Sequence, residues 1–160
     1  WEAYDTQIAS FDFEGGKTIT WEGRSCNGRP VEGRGRGAAI HGEKGTVIID
    51  RSGYVVYDHD NNEIHRRMRE KSDSALDVRG GGGLTDLHIV NFLETIRGNE
   101  KAHAPIDEGA KSTLLCHLGN IAQRTDRSLT CDPQTGRVLD NEEALGLWGR
   151  EYEEGWEPSV

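Results

Sequence analysis

The chain has 160 residues, a modest apolar share of 34%, 21 glycines and a formal net charge of −9, which suits one domain with a small core and long connections. Both halves are acidic, with 12 basic against 14 acidic residues in positions 1–80 and 7 against 14 in positions 81–160; this argues against a nucleic-acid partner, which needs a net basic face. No apolar run approaches the ~20 residues of a membrane helix, and Cys26, Cys116 and Cys131 are odd in number and too widely spaced for a C-x-x-C zinc or redox site.

In chain order, Gln7–Glu14 mixes apolar and polar residues in the manner of a strand, and Gly15-Gly16 offers a tight turn into a second strand over Lys17–Trp21. Positions 23–37 are rich in Gly and Arg and carry Pro30, so a long excursion between strands is expected. Three short strands follow at Ala38–His41, Thr46–Asp50 and Tyr54–Tyr57, joined by short turns and implying an antiparallel sheet. Asp58–Gly83 has almost no apolar periodicity and ends in four glycines, which predicts a long loop or linker within the domain.

Helices come next. Leu84, Leu87, Val90, Phe92, Leu93 and Ile96 mostly fit a helical stripe, with Thr85 or Asp86 as N-cap and Gly98 as the stop. A second helix is expected from about Glu108 to Arg124, capped by Asp107, and a short third one after the capping-box pattern Asp140-Asn141-Glu142-Glu143. Leu129–Cys131 reads as an edge strand. Strands first and helices after is an α+β order, with a largely antiparallel open sheet and helices on one face.

For chemistry, a dinucleotide site requires a strand running into G-x-G-x-x-G at a helix N-terminus. The run Gly80–Gly83 lacks that context and reads as a linker, while Gly33–Gly37 reads as a solvated loop. None of the six histidines has the i, i+4 spacing of a helical metal pair. His88 and Asn91 lie three apart on the first helix, so both side chains are candidates to hold one ligand hydroxyl. His117 and Asn120 repeat the spacing on the second helix, where an ordinary polar face explains them more simply. Trp21, Trp148, Trp156, Tyr54 and Tyr57 suit sugar stacking and core packing equally.

The order of several strings is familiar. Asp5-Thr6-Gln7, Ile19-Thr20-Trp21-Glu22-Gly23-Arg24-Ser25-Cys26-Asn27, Gly42-Glu43-Lys44-Gly45-Thr46 and Gly53-Tyr54-Val55-Val56-Tyr57-Asp58 lead to His88-Ile89-Val90-Asn91-Phe92-Leu93 and Leu115-Cys116-His117-Leu118-Gly119-Asn120-Ile121-Ala122. Leu129–Gly136 and the closing Tyr152–Trp156 complete the series. It resembles the C-terminal domain of the glucose-fructose oxidoreductase / inositol dehydrogenase / MocA family, in the subtype common in Bacteroidetes and Planctomycetes.

The resemblance implies a dihydrodipicolinate-reductase-like α+β domain that walls the substrate pocket of an NAD- or NADP-dependent sugar or cyclitol oxidoreductase and packs in a homo-oligomer. The family's glycine fingerprint, its Lys-Pro segment and its Asp/His motif have no counterpart here, so a Rossmann domain holding the cofactor and the catalytic groups is expected upstream of Trp1. Catalytic, cofactor and metal residues are therefore assigned to none of these positions. Arg24, Asn27, Arg34, Arg36, His88 and Asn91 are the candidates for substrate or interdomain contact. Two other readings stand beside this one: a free-standing carbohydrate-binding or oligomerisation module, and part of an NAD-dependent glycosidase.

Overall fold

The computed structural model describes residues 4–69 and 82–157. Among the described residues six strands precede three helices, giving an α+β fold whose strand pairs are antiparallel neighbours in sequence. The chain divides into two compact units: one gathers the residues up to Thr6 with Arg24–His103, the other Gln7–Gly23 with everything from Ala104 onward.

In the first unit, β3 (Ala38–Gly42), β4 (Gly45–Asp50), β5 (Gly53–Tyr57) and β6 (Glu63–Met68) form a four-stranded meander. Ile48 faces Val55 across the β4–β5 ladder, and both are buried. The two tightest turns need glycine. A Cβ on Gly45 would stand 2.0 Å from the Tyr57 carbonyl oxygen, and one on Gly53 would stand 2.1 Å from that of Arg67. Their φ angles of +137° and +142° are strained for any other residue.

The loop expected from Asp58 to Gly83 is corrected over Glu63–Met68, which is the edge strand β6. Its residues are exposed and mostly charged or polar, so no burial pattern betrays it. The ladder to β5 holds it, and the charges suit an outer edge that no other described strand pairs. Asp58 builds the connecting turn by accepting from the backbone N–H groups of Asp60 and Asn62 at 3.0 and 2.8 Å. Positions 70–81, the rest of that expected loop, lie outside the described residues.

The helix α1 (Gly82–Ile96) starts ahead of the expected caps Thr85 and Asp86 and stops before Gly98, whose φ of +78° matches its expected role. Its exposure is unusual. Leu87, Phe92 and Ile96 are 67%, 62% and 66% exposed, and Leu84, Ile89, Val90 and Leu93 are also open.

In the second unit, β1 (Thr6–Phe13) and β2 (Lys17–Arg24) make a hairpin through Gly15 and Gly16, both at positive φ. Alternate residues Gln7, Ala9 and Phe11 are the covered face of β1. They lie over α2 (Ile106–Thr125), where a Cβ on Gly119 would meet Phe11 at 3.5 Å and Ala9 at 3.6 Å. The Gln7 amide donates to the Gly119 carbonyl at 3.4 Å.

Pro105, with its φ of −65°, takes the N-cap position expected of Asp107, and Asp126 closes α2 in the left-handed conformation. The short helix α3 (Glu142–Gly146) forms where expected, but its cap is Asn141, which accepts from the Ala144 N–H, one residue later than the Asp140 cap of the capping-box pattern. The expected edge strand at Leu129–Cys131 reduces to a single bridge between Cys131 and Val138. The core of this unit is Leu118, Ile121, Val138 and Ala144, flanked by Phe11, Leu114, Leu129 and Leu145.

Candidate functional site

The Gly- and Arg-rich segment after β2 is ordered by its own contacts. Val31 and Arg34 exchange backbone hydrogen bonds across Glu32 and Gly33, both at positive φ, which makes a tight two-residue turn. The Arg34 guanidinium donates to the Asp50 carboxylate at 2.8 Å and ties this turn to the end of β4. Burial pushes the Asp50 carboxyl up, but the Ser52 N–H, the Arg34 guanidinium and the Gly53 N–H together hold it below the usual carboxylate range.

Of the four candidates from this segment, Arg34 is thus committed to the fold. The Asn27 side-chain oxygen accepts from the Arg29 N–H at 2.9 Å, a local turn that occupies its acceptor. Arg24 ends β2 half-buried, and Arg36 stands exposed just before β3.

The His88/Asn91 pair separates in role. His88 is exposed on α1, whereas Asn91 is only 4% exposed. Its amide nitrogen donates to Glu100 Oε2 at 2.8 Å and to the Lys101 carbonyl at 3.0 Å, and its oxygen accepts from the His103 N–H at 2.9 Å. Those three bonds leave one acceptor lone pair and clamp the segment after α1. Asn91 is held by the fold, and His88 stands exposed without sharing those bonds.

The second His/Asn pair has the opposite surroundings. His117, Asn120 and Arg124 recur along one face of α2 at i, i+3 and i+7, and all three are exposed. They line an open groove of about 830 Å³ whose other wall carries Leu147 and Trp148. The groove closes because α3 packs on α2 through the buried Ala144. Leu147 N–H donates to the Ala144 carbonyl and Trp148 N–H to that of Leu145, both at 3.1 Å, which sets the backbone path of this wall.

Spacing points to His117 and Asn120 and composition to Trp148 as one of several stacking aromatics, but neither joins them into one site, and Arg124 is not singled out. The i+7 step from His117 to Arg124 was available as a signal. Trp148 comes from a different element, and only the packing of α3 on α2 brings it in.

No group of three or more His, Cys, Asp or Glu side chains among the described residues is placed to hold a metal. Both sheets are antiparallel, so the parallel β-α-β crossover that cradles a dinucleotide is absent from the described residues. No helix among them is long and apolar enough to cross a membrane. No family model matches the chain, and no curated protein or solved structure matches it either.

Proposed function

We propose that this chain is the substrate-side domain of an NAD- or NADP-dependent oxidoreductase acting on a sugar or cyclitol, working with a separate nucleotide-binding domain and in a homo-oligomer. The observation that carries the reading is α1. A helix apolar on nearly every side is normally buried on nearly every side, yet seven large apolar side chains of α1 are open here. That is the surface of a domain that completes its packing against another body. The antiparallel α+β architecture and the series of strings from Asp5 to Trp156 support the same reading.

In such a reaction a hydride passes between a carbinol carbon and the nicotinamide, while the hydroxyl proton goes to an acid–base group. In this reading cofactor binding and that proton transfer belong to the other domain. This chain contributes shape, hydroxyl contacts and assembly, and by itself it is inert.

The test is nicotinamide reduction by the complete gene product against a panel of hexoses, inositols and sugar acids, with product analysis. The reading expects a substrate-dependent rise in reduced nicotinamide. Net glycoside cleavage without that rise would make the enzyme a glycosidase instead, and binding of sugar by a product without a nucleotide site would make it a carbohydrate-binding module.

A further inference from the structure

We infer that the groove between α2 and the segment after α3 is a binding site for a carboxylated sugar, a uronate or aldonate, with Arg124 taking the carboxylate. The inference goes beyond the oxidoreductase reading and does not depend on it.

Charge makes the first point. The chain carries 28 acidic residues in 160, yet among the described residues no carboxylate lines this groove, and the permanent cation among them is Arg124. A guanidinium presents a planar fork of donors that matches a carboxylate with two parallel hydrogen bonds. Among the described residues Arg124 makes no ion pair, unlike Arg34, Arg66 and Arg97. The exposed carbonyls that would repel an anion at this end of α2 are partly covered, since Ala122 and Gln123 accept from the N–H of Asp126 and Ala122 also from that of Arg127.

Shape and polarity make the second. From His117 to Arg124 the helix rises ~10 Å, a length that spans one or two sugar rings. The imidazole nitrogens of His117 and the Asn120 amide offer hydrogen-bonding groups of the kind sugar hydroxyls pair with. Trp148 and Leu147 supply a flat apolar wall against which the C–H face of a ring can lie. A volume of about 830 Å³ is ample for such a ligand. Phosphate fits less well, because a single guanidinium offsets one negative charge and a phosphate monoester brings nearly two into an acidic chain.

The test is titration of the full chain, without nicotinamide, with sodium glucuronate and separately with glucose, followed by the NMR signals of the Trp148 indole N–H and the Arg124 Nε–H. Glucuronate should saturate both signals and bind about tenfold more tightly than glucose. Arg124→Gln should bring glucuronate down to the affinity of glucose, with helix content unchanged, and Arg124→Lys should fall between the two. Equal affinities for glucuronate and glucose, or glucuronate that leaves the groove signals unmoved, would overturn the proposal. Because no cofactor is present, either failure is distinct from a failure to turn over substrate.

Discussion

Two helices of this chain carry the same His-x-x-Asn spacing and use it differently. On α1, Asn91 is buried and spends three hydrogen bonds on the segment from Glu100 to His103, leaving His88 alone at the surface. On α2, His117 and Asn120 stay open beside Arg124 and face Trp148 across a groove. Spacing on a helix decides which side chains share a face. What else reaches that face decides whether they lock the fold or await a ligand.

The comparison breaks first at the asparagines. Asn91→Ala strands the Lys101 carbonyl and the His103 N–H and should cost about 2–3 kcal/mol in urea unfolding, whereas Asn120→Ala, at an open position, should change stability by less than ~0.5 kcal/mol. Equal costs would show that the two positions do the same job.

The two units themselves can be compared through Val55 and Val138, which are 1% and 2% exposed. Truncating either to Ala removes two methyl groups and should cost about 1–2.5 kcal/mol. Amide exchange should quicken mainly in β4 and β5 for Val55→Ala and mainly in α2 for Val138→Ala. A smaller effect concerns Asp50 and Arg34. With its native carboxyl held below the usual range, Asp50 contributes stability that is fully present above the ordinary carboxylate titration near pH 4 and is lost as pH falls through the lower native value. Arg34→Gln should move the Asp50 titration upward by NMR, and an unmoved titration would deny the ion pair its role.

Most of the elements were legible from the chain itself. The alternation in β1, the positive-φ glycines of the turns and the polar run before α3 each encode a local event, and the strand, the turns and the short helix each appear where expected. β6 was hidden because an exposed, charged edge strand is defined by ladder bonds to β5, not by its own pattern. The Arg34–Asp50 pair and the approach of Trp148 to α2 were hidden for a related reason, since both join residues far apart in sequence. Thus the candidate list favoured Arg34 and Asn91, which the fold consumes, over Arg124 and Trp148, which it leaves available.

The central claim is that this chain is one side of a two-domain enzyme, and the most direct measurement is the intact mass of the natural gene product in its source cells. A two-domain oxidoreductase predicts a polypeptide roughly two to three times this length, with the nucleotide-binding sequence preceding Trp1. A natural product of only 17.8 kDa would contradict the account, and the open apolar surface of α1 would then need another explanation.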